Sequence, residues 1–261
     1  MNPADYSALM ARAFLYVEGT LLRRSAEDSP TRITEDFVRG ALIDGLKAAK
    51  ADLANSVAME SDVPWNRALN ALNSSARFGA GRPRQHDVAI KNPLRLVSEV
   101  KWVKKQDGEA ILEDLWKLAL THGTSARERE SCRTFLLLGG IKKSFEQTLG
   151  NLHRRKIPLR WSPQGKAVQW PRSTRIKFGK IVRKKWGFSA LASVLKRRKG
   201  YYRQPPATWV ELRCTTVARS YKTIRGIQWK IALWELSFRT PCKRKQINWN
   251  GLPGRLANLP R

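Results

Sequence analysis

The sequence has few of the groups on which histidine or thiol chemistry depends, with three histidines and three cysteines in 261 residues. A metal-independent ribonuclease normally needs a pair of histidines for acid and base catalysis near neutral pH, so the sequence disfavours that class. The cysteines, Cys132, Cys214 and Cys242, form no CxxC pair and cannot all be joined in disulfides within one chain. We predict that they are buried or unreactive thiols.

Long apolar runs are also missing from the sequence. No segment approaches the roughly 20 uninterrupted apolar residues that a membrane-spanning helix needs. The N-terminal stretch lacks a basic region before its apolar residues and includes Asp5 and Glu18, which is not typical of a secretory signal. We therefore expect a cytoplasmic protein without a membrane partner, folded as one large domain or two small ones.

Acidic residues are scarce in the second half of the chain. Residues 1–140 contain 20 basic and 18 acidic side chains, whereas residues 141–261 contain 30 basic and only 3 acidic side chains. The two parts therefore carry about +2 and +27 of the total charge of +29. With so few acidic residues, the basic side chains of residues 141–261 have almost no partners for ion pairs within the same part of the chain. This asymmetry predicts a polyanionic partner, and we favour nucleic acid over a membrane surface because Trp, Pro and Gly interrupt the basic runs.

The basic residues of the second half occur in clusters, each of which is predicted to contact phosphates and to add salt-dependent affinity. The clusters are Arg154-Arg155-Lys156, Arg183-Lys184-Lys185, Lys196-Arg197-Arg198-Lys199 and Lys243-Arg244-Lys245. Seven of the ten tryptophans also lie beyond residue 160. The candidates for stacking on unpaired bases are Trp161, Trp170, Trp186 and Trp249. Those expected in the core, because they lie in strand-like runs, are Trp209, Trp229 and Trp234.

Hydrophobic periodicity predicts a mixed α/β core. The predicted helices cover residues 5–24, 34–53 with Thr34 as N-cap, 108–121 and 141–154. The predicted strands are His86–Lys91, Leu94–Val103, Thr134–Gly140, Thr208–Ala218 and Gly226–Phe238. Between these elements we expect a short helix near Trp65, a turn at Asn92-Pro93 and a basic helix somewhere within residues 174–198. The last twenty residues are expected to be loosely ordered.

The most informative pattern is Asp87, followed after eleven residues by Glu99-Val100-Lys101. Residues i and i+2 of a strand project on the same face, so Glu99 and Lys101 share a face while Val100 points to the opposite, buried side. The turn between the two strands would bring Asp87 beside them. Two neighbouring carboxylates repel, and a hard divalent cation stabilises such a pair. We predict Mg²⁺, with Mn²⁺ as a substitute, bound by Asp87, Glu99 and the backbone carbonyl of Val100.

Such an arrangement suits phosphodiester hydrolysis, which needs an acidified water, a counter-charge for the phosphorus centre and stabilisation of the leaving oxygen. In this interpretation Lys101 orients or polarises the attacking water. The pattern also has an ordinary structural interpretation, in which Glu99 and Lys101 form a surface ion pair. The neighbouring strands and helices, together with the basic second half, favour the catalytic interpretation.

Residues 34–140 resemble the PD-(D/E)XK nuclease superfamily, whose members share the restriction-endonuclease-like fold. The resemblance is carried by HDVAI with Asp87, SEVKW with Glu99 and Lys101, a following helix and the TFLLLGG strand, in an order similar to the α-β-β-β-α-β core of the superfamily. It implies metal-binding carboxylates, a lysine that assists water and an acidic residue from the first core helix, for which Glu35 is the candidate. The sequence departs from the pattern in having His86 where Pro is usual, and in lacking the glutamine-tyrosine motif of one branch.

We therefore expect an α/β protein with a restriction-endonuclease-like core, in which a mixed central sheet is flanked by helices, plus a basic C-terminal extension of further helices and strands. Residues 1–140 would form the nuclease core with its N-terminal helices, and residues 141–261 a nucleic-acid-binding region packed against it. The expected function is a Mg²⁺-dependent endonuclease acting on DNA rather than RNA, in defence or mobile-element processing by analogy of fold alone.

Two alternatives stay open: an RNA or tRNA endonuclease acting as a toxin or defence effector, and a non-catalytic nucleic-acid-binding protein. Cleavage of both strands of a duplex would favour a homodimer.

Overall fold

The computed structural model describes most of the N-terminal part of the chain and the principal strands of the C-terminal part. The described residues are 3–27, 32–53, 55–62, 85–91, 95–104, 108–125, 132–155, 157, 159–161, 168–170, 174–178, 209–222 and 226–239. The predicted short helix near Trp65, the turn at Asn92-Pro93 and the last twenty residues lie outside this set.

Four α-helices and a short 3-10 helix are present in the described residues. They are α1 (Pro3–Glu27), α2 (Glu35–Ala49), the 3-10 helix (Ala51–Leu53), α3 (Gly108–Ser125) and α4 (Lys142–Arg154). The hydroxyl of Thr34 accepts a hydrogen bond from the backbone N–H of Phe37 at 3.2 Å, which confirms Thr34 as the N-cap of α2. The acids Glu35 and Asp36 follow in the first turn, where the helix dipole favours negative charge.

Eight strands in the described residues form one mixed sheet. They are β1 (Val57–Asp62), β2 (Gln85–Ile90), β3 (Leu96–Val103), β4 (Arg133–Ile141), β5 (Val168–Gln169), β6 (Thr174–Lys177), β7 (Trp209–Lys222) and β8 (Gln228–Arg239). Their order across the sheet is β1-β2-β3-β4-β8-β7-β5, with β6 also paired to β7. Among the described strands only β3 and β4 form a parallel pair, and α3 connects them; the other pairs are antiparallel.

Helices cover both faces of the sheet. On one face, α1 and α2 pack against Val100, Phe135 and Trp229, and on the other α3 and α4 pack against Leu136 and Trp234. Successive residues of β4 therefore enter opposite cores, as expected of a strand whose sequence is apolar at every position. This confirms the interpretation of TFLLLGG as a strand buried on both faces, and also the prediction that Trp229 and Trp234 are core residues.

Three strands are missing from the sequence-based expectation: β1, the two-residue β5 and β6. Strand β1 was not predicted, because its sequence VAMESD lacks clear alternation and Met59 is exposed at the edge of the sheet. Residues Thr174–Lys177 form β6, so the basic helix expected within 174–198 does not begin there. In β6, Ile176 is buried whereas Arg175 and Lys177 are exposed, which is the two-residue period of a strand paired with the edge of β7. Residues 179–208 lie outside the described set.

The sheet continues across residue 140, the boundary proposed from charge. Strand β4 pairs with β8 over eight positions, from Thr134 with Leu236 to Ile141 with Trp229. The C-terminal strands β7 and β8 are therefore neighbours of the N-terminal strands in a single sheet. None of the helices in the described ranges has the length and apolar character that crossing a membrane requires.

Candidate active site

Asp87 lies where β2 separates from β3. The paired register of these strands runs from Ile90 with Leu96 to Val88 with Ser98. Asp87 is the residue before Val88 in β2, and here a side chain replaces the backbone pairing: its Oδ2 accepts a hydrogen bond from the backbone N–H of Val100 at 2.7 Å. The Asp87 carboxylate is thereby held against the middle of β3.

Glu99 and Lys101 project from β3 towards α3, on the face opposite to Val100. Val100 is fully buried in the core that α1 and α2 form with the sheet, as the alternation of the strand predicts. On the other face, Glu99 and Lys101 lie close to Asp114 and Lys117 of α3. We refer to Glu35, Asp87, Glu99, Lys101, Asp114 and Lys117 as the charged cluster.

Lys101 bridges two carboxylates from different helices. Its Nζ lies 3.0 Å from Oε1 of Glu35 in α2 and 3.6 Å from Oδ2 of Asp114 in α3. Burial alone lowers the pKa of Lys101, but Asp114, Glu35 and Asp87 together raise it above its usual value. Burial raises the pKa of Glu35, and Lys101 opposes that shift. Lys101 and Glu35 are the most exposed members of the charged cluster, with side chains 20% and 30% accessible.

Glu99 is fully buried and both of its oxygens have partners. Oε2 lies 2.5 Å from Nζ of Lys117, which also contacts Oδ1 of Asp114 at 2.9 Å. Oε1 lies 2.5 Å from Nδ1 of His86. Burial alone lowers the pKa of Lys117, but the Glu99 and Asp114 carboxylates raise it well above its usual value. Lys117 is therefore a protonated group inside the protein, held between two acidic side chains.

The ring of His86 has one orientation and one assignable proton. The Thr121 hydroxyl donates to the carbonyl of Lys117 at 3.1 Å, so its oxygen accepts from Nε2 of His86 at 2.7 Å. The short Nδ1 to Oε1 contact then requires one further proton between His86 and Glu99. This pair therefore shares one proton, while burial lowers the pKa of His86 and raises the pKa of Glu99.

Arg39 links the charged cluster to the edge of the sheet. From α2, its guanidinium lies 3.4 Å from Oδ1 of Asp87 and 3.2 Å from Oε1 of Glu60 in β1. It also contacts Glu35 at 3.8 Å and Asp36 at 3.3 Å within its own helix. One nearly buried guanidinium thus orders carboxylates from three elements.

The structure brings together the four residues predicted as catalytic, Asp87, Glu99, Lys101 and Glu35. The contacts of Lys101 are with Glu35 and Asp114, so the surface ion pair between Glu99 and Lys101 is not what the structure contains. The backbone of Val100 enters the site through its N–H group, which binds Asp87.

Sequence reasoning missed the contributions of α3 and of Arg39. A signal for α3 was present, because Asp114 lies at helical spacing between the apolar residues Ile111 and Leu118, where a charge is out of place unless it has a buried partner. Lys117 follows Asp114 at i+3 and completes an ion pair on the same face. Arg39 is at i+4 from Glu35, and so shares the face of the predicted acidic candidate.

The donors of the charged cluster suit a hard divalent ion, since its carboxylates supply oxygen ligands of the kind that Mg²⁺ prefers. In the structure, hydrogen-bond donors and cationic side chains of the protein occupy these oxygens instead. Lys117 and His86 take the oxygens of Glu99, while Val100 and Arg39 take those of Asp87. In the part of the chain that the structure describes, no group of three or more His, Cys, Asp or Glu side chains is arranged to hold a metal.

The predicted phosphate contacts fall mostly outside the described residues. Arg154 and Arg155 are described, and both are exposed at the C-terminal end of α4, where Arg154 binds Asn151 and Arg155 lies 4.0 Å from Glu109. The other proposed contacts, which lie outside the described set, are Lys156, Arg183, Lys184, Lys185, Lys196, Arg197, Arg198, Lys199, Lys243, Arg244 and Lys245.

Two of the tryptophans proposed to stack on bases pack against the protein. Trp161 contacts Phe145 edge-on with ring centroids 5.2 Å apart, and Nζ of Lys230 lies 4.6 Å from its ring centre. Trp170 donates from Nε1 to the Thr216 hydroxyl at 3.1 Å. Both rings are half-buried against the α3/α4 core, whereas Trp186 and Trp249 lie outside the described residues, as does the side chain of the predicted core residue Trp209.

Comparison with known proteins gives no relative for this arrangement: no family model, no curated protein and no solved structure matches the chain.

Proposed function

We propose that this protein is a Mg²⁺-dependent nuclease that hydrolyses phosphodiester bonds in DNA, with Asp87, Glu99 and Lys101 as its central residues. The observation that carries the proposal is their convergence: an acid from β2 and an acid and an amine from β3 meet beside Glu35. Burying several ionisable groups together lowers the stability of a fold, and such clusters are concentrated at functional sites.

The order and direction of the elements around these residues also support the proposal. From α2 the chain runs through β1, β2 and β3, then through α3 into β4. The first three strands are antiparallel neighbours, and β4 is parallel to β3. This is the α-β-β-β-α-β order that the sequence resemblance implies, with Glu35 at the start of its first helix.

The roles of the side chains follow from their exposure and charge. Lys101 is accessible and its pKa is raised, so it stays protonated near neutral pH and acts as a donor rather than as a base. It would orient the attacking water and oppose the negative charge that grows on the phosphoryl oxygens. Glu35 and Asp114 hold the Lys101 ammonium between them. A bound divalent ion would supply Lewis acidity and a more acidic water.

The large positive charge of the second half supports a nucleic-acid substrate. A net charge of +29 gives strong attraction for any polyanion, so charge by itself does not select DNA. We retain DNA as the substrate because duplex backbone contacts need no ordered base-stacking surface, and the two described candidate tryptophans are half-buried against the core.

A cleavage assay with a matched pair of lysine variants tests the proposal. Purified full-length protein is incubated with plasmid, linear duplex, single-stranded DNA and total RNA, in Mg²⁺ or in EDTA. We expect duplex DNA to be cut only with the metal, and Lys101→Met to lower the rate about 100-fold or more because a transition-state donor is removed. Lys104→Met removes an exposed lysine three residues further along and should leave the rate unchanged.

The outcomes separate the competing functions. Cleavage that survives EDTA, or that is equal in the Lys101→Met variant, contradicts the proposal and indicates a contaminating nuclease. Selective degradation of RNA supports the RNA endonuclease instead. Tight binding of nucleic acid without cleavage under any of these conditions supports the non-catalytic binding protein.

A further inference from the structure

The ammonium group of Lys117 lies in a cage of three oxygen atoms. Its Nζ is 2.5 Å from Oε2 of Glu99, 2.9 Å from Oδ1 of Asp114 and 3.0 Å from the backbone carbonyl of Gln85. An ammonium has three N–H donors, so these contacts use all of them. The oxygens come from β3, α3 and β2, and are thus positioned by the packing of the helix on the sheet.

The composition of this cage is that of a hard-cation site. Two carboxylates and one carbonyl are the ligand types that Mg²⁺, Mn²⁺ and Ca²⁺ take from proteins. A lysine side chain is rarely buried unless its charge is compensated, and Lys117 is only 10% exposed. The cage therefore already stabilises one positive charge away from bulk water.

Asp114 gives a second indication of a cation at this position. Its side chain is only 5% exposed, yet its Oδ2 has no hydrogen-bond donor, and Nζ of Lys101 is 3.6 Å away. A buried carboxylate oxygen without a hydrogen bond carries an energetic cost unless another cation is present.

We propose that the Lys117 ammonium occupies the seat of the divalent ion, which binds when this side chain withdraws. The ligands of that seat are then Glu99, Asp114 and the carbonyl of Gln85, with Asp87 beside them. This inference rests on the proposed nuclease function, and it changes the predicted ligand set by adding Asp114 and Gln85. Lys117 acts as an internal competitor that keeps the acids neutralised when the metal concentration is low.

Metal-binding measurements on Lys117→Met test this inference without using activity. Methionine has nearly the length of lysine but no charge. We expect the variant to melt at a lower temperature than the wild type in EDTA, because Glu99 and Asp114 lose their counter-ion. Mn²⁺ should then raise its melting temperature more than that of the wild type, and calorimetry should show about ten-fold tighter Mn²⁺ binding. Lys104→Met controls for the loss of one positive charge outside the cage.

Asp114→Asn provides an independent variant in case Lys117→Met does not fold. It keeps the shape of the side chain and should weaken Mn²⁺ binding about ten-fold, although Asp114 is not in the ligand set predicted from sequence. Wild-type affinity in either Lys117→Met or Asp114→Asn overturns the inference. If the wild type cuts DNA and its Mn²⁺ binding depends on Asp87 but not on Asp114, the nuclease proposal stands and the seat is wrong. If wild type and variants neither bind Mn²⁺ nor cleave, both proposals fail.

Discussion

At the scale of single residues, the hydrogen-bond partners of each acid determine what its substitution would do. Asp87 has both a structural and a chemical role, because one carboxylate oxygen accepts a hydrogen bond from the backbone N–H of Val100 and the other faces Arg39. Asp87→Asn keeps an acceptor for Val100 but removes the charge. We expect this variant to melt within a few degrees of the wild type, while cleavage falls about 100-fold or more.

Asp87→Ala serves as the comparison, because it removes both functions of the side chain. The backbone N–H of Val100 then loses its acceptor, at a cost of about 1–3 kcal/mol in the free energy of unfolding. Urea denaturation and a duplex cleavage assay of both variants measure the two effects separately. Normal cleavage by Asp87→Asn would refute a catalytic role for the Asp87 charge.

The two described cysteines bear out the prediction of buried thiols. Cys132 and Cys214 are buried and are not joined in a disulfide, and burial raises the pKa of Cys132 to about 12 and that of Cys214 to about 11. Below these values the thiolate fraction is small, so reactivity is suppressed at pH 8 and increases only in strong base. Cys242 lies outside the described residues.

Thiol titration in a Cys242→Ser background checks this directly. We expect a disulfide reagent at pH 8 to leave both remaining thiols of the folded protein unmodified, and to modify both in denaturant. Rapid modification of Cys132 before unfolding would show that the α3/α4 core is open there.

At the scale of elements, sequence periodicity located the helices and most strands, because each buries one face or both. It did not locate β1, an edge strand with little burial, or β6 (Thr174–Lys177), whose four residues are too few to distinguish a strand from a helix. The apolar alternation that indicated β3 also placed Glu99 and Lys101 on a common face.

The end of β4 offers a test of packing at the element scale. A Cβ on Gly140 would lie 2.5 Å from the backbone carbonyl oxygen of Val103 in the parallel neighbour β3. Since backbone cannot rotate away, we expect Gly140→Ala to lower the free energy of unfolding by roughly 1–3 kcal/mol in urea denaturation.

Gly150 supplies the matched control in α4. A Cβ there meets no atom within 4 Å, and the position is inside a helix. Gly150→Ala should therefore stabilise the protein by about 0.5–1 kcal/mol, since alanine is the better helix former. Equal effects of the two substitutions would mean that β3 and β4 are not packed as closely as the structure indicates.

At the scale of the whole molecule, the sheet joins the weakly charged and the strongly basic parts of the chain. Residues 1–140 alone would lack β7 and β8, leaving β4 as an open edge and uncovering apolar side chains such as Phe135 and Leu136 on both faces. We expect a fragment of residues 1–140 to show no cooperative thermal transition by circular dichroism. A cooperative transition would support the domain boundary predicted from charge.

Salt dependence tests the proposed binding of phosphates by the basic clusters. On duplex DNA, the slope of log K against log salt becomes shallower by about 0.9 for each phosphate that the protein no longer neutralises. Replacing Lys243, Arg244 and Lys245 by glutamine should therefore make the slope measurably shallower in a binding titration. The exposed Lys47 on α2 provides a control substitution in the nearly neutral half. An unchanged slope in the triple variant would remove this cluster from the binding surface.

The sequence by itself determined the partition of charge, the main helices and strands, and the face shared by Glu99 and Lys101. These features depend only on the spacing and composition of residues within short segments, and both can be read directly from the sequence. Only the tertiary structure decided that Lys117, rather than Lys101, contacts Glu99, and that Arg39 orders Asp87. The partners come from helices packed on opposite faces of the sheet, and periodicity tells which face of a helix is buried but not which strand residues it will meet.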